Sequence, residues 1–192
     1  MKIKLILLSC VVWLMASCAP STQLTKSWTD PSVTPETVKP FKKVLVIARI
    51  KDETSNRIAE DKIVSQIKSG QAVPSYTFLS PTDTAAASVN AKLQAAGFDG
   101  LIVMRLTEVN KSLDYQPSVG YRGFYRYGYG SPGTLSEDQT FNVQTSIYSL
   151  NPDKMLWSGT TSTFNPSKLE KALDDIINSV RMELTKKGFI KE

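Results

Sequence analysis

The chain has 192 residues, 23 basic and 18 acidic side chains, a formal net charge of +5, two cysteines and no histidine. Lacking histidine, it has no Ser-His-Asp or Cys-His relay and no usual zinc ligand set, which leaves only carboxylate, Lys, Tyr or Ser-Lys chemistry. So mildly basic a balance is not that of a nucleic-acid binder, and the length suits one domain around a single core.

At the start, Lys2 and Lys4 precede an apolar run, Leu5 to Met15, too short to span a bilayer, and Ala16-Ser17 follow as small residues before Cys18. The pattern predicts a secretory signal over residues 1–17, removed on export. Met15-Ala16-Ser17-Cys18 resembles a bacterial lipobox. The resemblance implies that Cys18 carries a diacylglycerol thioether and an acyl group such as palmitate on its freed amine. Each buried methylene contributes about 0.8 kcal/mol, so several chains on one residue hold a protein where one does not. Met15 stands where a lipobox usually has Leu; the other reading is ordinary cleavage that leaves Cys18 a free thiol. Ala19, rather than Asp, accompanies transfer to the outer membrane in many Gram-negative lipoproteins. The expected address is therefore the cell outer membrane, lipid-anchored and facing the periplasm.

Loss of Lys2 and Lys4 with the signal lowers the basic count from 23 to 21 against 18 acids, a charge of +3. Cys10 leaves too, so neither a disulfide nor a thiol nucleophile is expected.

Residues 18–40 carry Pro20, Pro31, Pro35 and Pro40 among Ser and Thr and read as a tether. Roughly 22 residues of coil would hold the domain about 25 Å from the bilayer. Trp28 does not suit a pure spacer, and its indole is expected to dock on the domain and order part of the tether.

The domain proper, 41–192, opens with Val44-Leu45-Val46-Ile47-Ala48, an aliphatic run suited to a strand covered on both faces. After a polar turn, Lys51 to Ser55, the spacing of Ala59, Ile63, Val64 and Ile67 predicts a helix stopped by Gly70. Tyr76 to Leu79 reads as a short strand. Ser80 to Asp83 turns into a second helix bearing Val89, Leu93 and Ala96, ended by Gly97, with Phe98 packing back. Leu101 to about Val109 is a third strand. Phe141, Val143, Thr145 and Ile147 alternate as a half-buried strand does, and Asn151-Pro152-Asp153-Lys154 turns the chain into a return arm, Met155 to Thr163. Asn165 and Pro166 are read as the cap and first residue of a last helix striped by Leu169, Leu173, Ile176, Val180 and Leu184 and ended by Gly188. The expected class is α/β: one mixed sheet, β-α-β-α-β with parallel neighbours, then an antiparallel hairpin and a C-terminal helix.

Several of these residues carry a resemblance over most of the chain: Ser27-Trp28, Phe41 to Ile47, Val73-Pro74-Ser75-Tyr76, Ala96-Gly97-Phe98-Asp99-Gly100 and Met155-Leu156-Trp157-Ser158. They resemble a group of Gram-negative bacterial lipoproteins of unknown function. Their element order is similar to that of the curli secretion lipoprotein and the amino-terminal domain of TolB. The resemblance implies fold and address and brings no catalytic motif.

Between Leu113 and Ser136 lies a connection longer than compact domains leave structureless. Its segment Gly120 to Gly133 holds five of the ten glycines and four of the seven tyrosines. Tyr121, Phe124, Tyr125, Tyr127 and Tyr129 offer flat amphipathic faces, and Arg122 and Arg126 offer bidentate donors. Together they are the candidate binding residues for a protein or glycan of the envelope; the plainer reading is a mobile loop folded on the sheet edge or resting near the membrane. Arginine beside tyrosine and glycine also resembles single-strand nucleic-acid binders, but a periplasmic, lipid-held domain of charge +3 has little access to nucleic acid.

Gly128-Tyr129-Gly130-Ser131-Pro132-Gly133 satisfies G-x-G-x-x-G by chance, since Pro132 and the lack of a following helix break the dinucleotide geometry. Ser65 and Lys68 match S-x-x-K without its companion motifs. The acidic pairs Asp52-Glu53, Glu60-Asp61, Glu137-Asp138 and Asp174-Asp175 read as solvated turns and helix surface. Of these, Asp52 and Glu53 lie beyond the carboxyl end of the first parallel strand, where ligand crevices form. The expectation is a non-catalytic binding or assembly module without metal or cofactor. The alternatives are a carboxylate-dependent envelope hydrolase using Asp52 or Glu53, and a subunit of a lipoprotein secretion or assembly complex, with oligomeric state left open.

Overall fold

The computed structural model describes residues 21–68, 70–80, 83, 86–116 and 134–190. Their elements run β1 (Thr22–Thr29), β2 (Lys43–Arg49), α1 (Glu53–Gln66), β3 (Gln71–Pro74), α2 (Ser75–Phe78), α3 (Ala86–Ala95), β4 (Gly100–Gln116), β5 (Thr134–Leu150), β6 (Asp153–Phe164) and α4 (Leu169–Lys186). The strands form one sheet in the order β1-β6-β5-β4-β2-β3. β3, β2 and β4 are parallel, while β4, β5, β6 and β1 pair antiparallel, giving the mixed α/β sheet expected.

β2 is aliphatic from Val44 to Ala48 because both its faces are covered there. Val44, Val46 and Ala48 meet Ile63 of α1 and Leu173 and Ile176 of α4 on one side. Leu45 meets Leu93 of α3 and Phe98 on the other. Leu45 and Val46 are fully shielded from solvent, and complete burial of such side chains contributes roughly 1.5–3 kcal/mol each. The four buried residues of α4, Leu173, Ile176, Val180 and Leu184, recur every three or four positions and hold the helix along the sheet. Under it lies Trp157, whose indole occupies the space that a Cβ on Gly159 would take. At the end of α3, Gly97 adopts φ +78° and Phe98 N–H returns to Leu93 C=O, the expected left-handed stop.

Four expectations are corrected. Residues 22–29 are a strand rather than tether: Thr22 pairs with Thr163 and Thr29 with Trp157, with a bulge between Leu24 and Lys26. The segment sits between Pro20 and Pro31 with no proline inside it, so its backbone is free to complete the β6 edge. The short strand is Gln71–Pro74, and Ser75–Phe78 is a helical turn instead. The Glu60 carboxylate bonds the Ser75 hydroxyl and the Tyr76 N–H at the start of that turn and outweighs the strand preference of Tyr and Phe. The last helix starts at Leu169 after Lys168, not at Pro166. Asn165, at φ +42°, forms a corner instead, its N–H donating to Gln139 C=O and its Oδ1 accepting from Gln139 N–H. Finally, β4 continues to Gln116 and β5 begins at Thr134, so the two ends of the predicted 113–136 loop, residues 113–116 and 134–136, belong to the hairpin ladder.

Candidate functional site

Cys18 and the loop residues Tyr121, Arg122, Phe124, Tyr125, Arg126, Tyr127 and Tyr129 lie outside the described residues. The arms that carry the loop are described. Phe164 pairs with Thr140, and Asn165 makes the last backbone bond from the β6 side to β5. Beyond it β4 and β5 pair alone for five more positions, Ser112↔Asp138 to Gln116↔Thr134. At about 3.4 Å per residue the hairpin projects roughly 17 Å past the sheet. β1 begins at this same end, where Phe164 N–H donates to Ser21 C=O at 2.8 Å.

The carboxylates proposed as catalysts have structural duties. Asp52 caps α1, its Oδ1 accepting Ser55 N–H and its Oδ2 the Ser55 hydroxyl, each at 2.9 Å. Those two bonds hold its pKa below the ordinary 3.8. Glu53 pairs with Arg57 one helical turn on. The group that sequence reasoning passed over is Glu60, 1% exposed. Its Oε1 accepts Ala48 N–H at 2.9 Å and the Ser75 hydroxyl at 2.7 Å, and its Oε2 accepts Tyr76 N–H at 3.3 Å. Asn56 Oδ1 takes Ile50 N–H at 2.7 Å. The amides at the carboxyl end of β2, where an anion would bind in many parallel sheets, are thus already occupied. Next door, Asp61 accepts the Tyr76 hydroxyl at 2.7 Å, which raises the phenol's pKa. Among the described residues no group of three His, Cys, Asp or Glu is placed to hold a metal ion.

On the α1/α4 side the sheet carries a groove of about 900 Å³. Ile102 of β4 and Ile147 of β5 form its floor, Ile67, Ile177 and Val180 its walls, and Lys68, Arg181 and Lys186 line it beside the two helix C-termini. It opens because α1 stops at Gln66, leaving Ile102 and Ile147 only partly covered. Arg181 Nη2 spans from α4 to Gln66, at 3.0 Å to its carbonyl and 2.9 Å to Oε1. Thr145, in the lining, has a buried hydroxyl without a hydrogen-bond partner among the described residues. No signal in the sequence marked this place, since its walls come from four separate elements.

The opposite face of the antiparallel half is polar. One row across the sheet reads Lys26, Thr160, Gln144, Arg105, Arg49. Arg105 Nε and Nη2 donate to Gln144 Oε1 at 3.0 and 2.8 Å, and Gln144 Nε2 donates to Ser158 at 3.0 Å, a mesh typical of a solvated sheet face. Trp28, 46% exposed, lines a shallow cleft here with Lys26 and Gln144.

No family model and no curated protein sequence matches the chain. Among solved structures it is similar to a PelC dodecamer from Paraburkholderia phytofirmans, at 11% identity and a TM-score of 0.46, over 83% of this chain and 95% of that one. It is similar to lipoprotein GNA1162 from Neisseria meningitidis at 16% identity and a TM-score of 0.43, over 75% of this chain and 98% of that one. A third similarity is to TolB from Acinetobacter baumannii, at 15% identity and a TM-score of 0.34, over 86% of this chain and 31% of that one.

Proposed function

We propose that the protein is an exported lipoprotein held on the periplasmic side of the outer membrane by acyl groups on Cys18, and that it works by recognition rather than catalysis. Its β4–β5 hairpin presents the Tyr/Gly/Arg loop, Tyr121 to Tyr129, to an envelope protein or glycan. The observation that carries this reading is the shared end of the sheet: β1 starts where the hairpin projects. Cys18 stands three residues before Ser21, a reach of roughly 11 Å at most, not the 25 Å of a long coil. The hairpin, projecting roughly 17 Å, therefore works at the lipid headgroup layer, where tyrosine and arginine are at home. The occupied state of Asp52, Glu53 and the β2-end amides supports a binding role over hydrolysis.

Two measurements test it. Palmitate labelling of the wild-type chain, absent from Cys18→Ser and blocked by globomycin, is the expected sign of the anchor; equal labelling of both chains overturns it. A photoreactive residue at Tyr125 is expected to crosslink one reproducible envelope partner in living cells, and deletion of residues 120–133 to abolish that partner's capture without lowering the Tm. Capture that survives the deletion removes the loop from the function.

A further inference from the structure

We infer that the groove between α1 and α4 binds a long-chain fatty acid, with its alkyl chain on the Ile102 and Ile147 floor and its carboxylate at Arg181, Lys68 and Lys186. This site is independent of the hairpin and of the Cys18 anchor.

Shape and chemistry agree on such an occupant. A volume of about 900 Å³ lies at the upper end of single-ligand sites, and the lining is isoleucine, valine, leucine and methionine apart from Gln66, Lys68, Thr145, Arg181, Thr185 and Lys186. Apolar side chains reach the mouth: Met182 is 72% exposed and Ile190 40%. Three of these polar residues are cations. Among the described residues no carboxylate lines the groove, and none of Lys68, Arg181 and Lys186 belongs to an ion pair.

Basic residues beside helix C-termini are common, so the charges must be weighed against the helix dipoles. Two C-termini end here, each equivalent to about half a negative charge, or roughly −1 together. Three full positive charges exceed that, and the surplus seeks an anion. Arg181 is already steadied by Gln66, through one nitrogen, and its remaining N–H groups suit a planar carboxylate. Ser21, the first described residue, bonds Asp175 in the first half of α4, whereas the cationic lining residues Arg181 and Lys186 belong to its second half.

The test is calorimetric titration of the chain from residue 18 onward, carrying Cys18→Ser so that no attached acyl group competes. Its probes are decanoate, laurate, palmitate, hexadecanol and palmitoyl lysophosphatidylglycerol. The expected result is saturable one-to-one binding of palmitate, weakening roughly fourfold for each methylene removed. Hexadecanol, without the charge, is expected to bind at least tenfold more weakly. Lys68→Gln combined with Lys186→Gln, which leaves the Arg181–Gln66 contact intact, is expected to lower palmitate affinity about tenfold and leave hexadecanol unchanged. Arg181→Gln is expected to do the same more strongly. Absence of saturable binding, or binding indifferent to chain length and to these charges, overturns the site. A lysophospholipid that binds more tightly than palmitate overturns the choice of occupant. Dimerisation abolished by Met182→Lys would assign the groove to a second copy and overturn it too. So would a lipidated wild-type chain that excludes palmitate while Cys18→Ser accepts it, since the occupant is then the anchor itself.

Discussion

The hydroxyl of Ser75 donates to Glu60 Oε1 at 2.7 Å, joining the turn after β3 to the middle of α1, and the same oxygen holds Ala48 N–H at the end of β2. Three elements therefore share one buried carboxylate whose partners are all neutral donors. Glu60→Ala strips those donors of their acceptor, and buried unsatisfied groups are costly. The expected loss is about 3 kcal/mol, read from urea denaturation. Glu60→Gln keeps one carbonyl oxygen and is expected to lose about half as much. Wild-type stability in both variants would show that water replaces the carboxylate without cost.

Thr145 presents the reverse case. Its hydroxyl is buried, 4% of the residue is exposed, and no partner among the described residues accepts or donates. Thr145→Val keeps the shape and removes the unmet group. It is expected to stabilise the fold by about 1 kcal/mol, a rise in Tm of roughly 2–4 °C. A fall in Tm would mean that a bound water satisfies the hydroxyl.

Gly159 is fixed by its neighbour rather than by its backbone. A Cβ there would run into the Trp157 ring, which is 1% exposed and held beneath Val180 and Leu184. Gly159→Ala is expected to cost about 2 kcal/mol by overpacking and to alter the near-ultraviolet circular dichroism of the indole. An unchanged spectrum would place the ring elsewhere.

Acid stability follows from carboxylates that accept hydrogen bonds in the folded state. Asp52 is held below its ordinary 3.8 by the N–H and hydroxyl of Ser55, Asp30 by Ser32, and Asp83 first by Lys92 and then by Ser80 N–H. A carboxyl depressed in the folded state stabilises it fully above the unfolded value and loses that effect as pH falls through the folded value. The Tm is expected to be flat between about pH 7 and 5 and to fall below about pH 4. In Asp52→Asn, where the cap survives without the titration, the acid limb becomes shallower. A limb of the same steepness would remove Asp52 from the transition.

β1 is expected to be part of the folding unit. Deleting residues 21–29 uncovers the β6 edge and removes the Thr22–Thr163 hydroxyl pair, buried at 2.9 Å. The Tm of the shortened chain is expected to drop by several degrees. An unaltered Tm would return the segment to the status of a spacer.

What the sequence disclosed depended on where apolar burial shaped it. β2, α3 and the stripe of α4 were legible because each must bury a continuous run or a periodic face. β1 was not, because Gln23, Thr25, Lys26 and Ser27 are exposed and only Thr22 is buried; partner strand β6 makes it a strand. The turn at Ser75 was misread because its cause, Glu60, lies fifteen residues upstream on another element. Glu60 itself looked like one more surface acid beside Asp61. The groove had no linear trace at all, for Ile67, Ile102, Ile147 and Ile177 meet only after the sheet is built.

Both borders of the sheet are poor templates for a further strand. On one side β3 is four residues long and closes on Pro74, which has no N–H to offer. On the other, the Leu24/Lys26 bulge breaks the repeat of the outermost backbone and a lysine follows it. Neither border offers a second copy a long regular ladder, so an edge-to-edge contact would have to use the open side of β4 beyond Arg105, where β2 has ended.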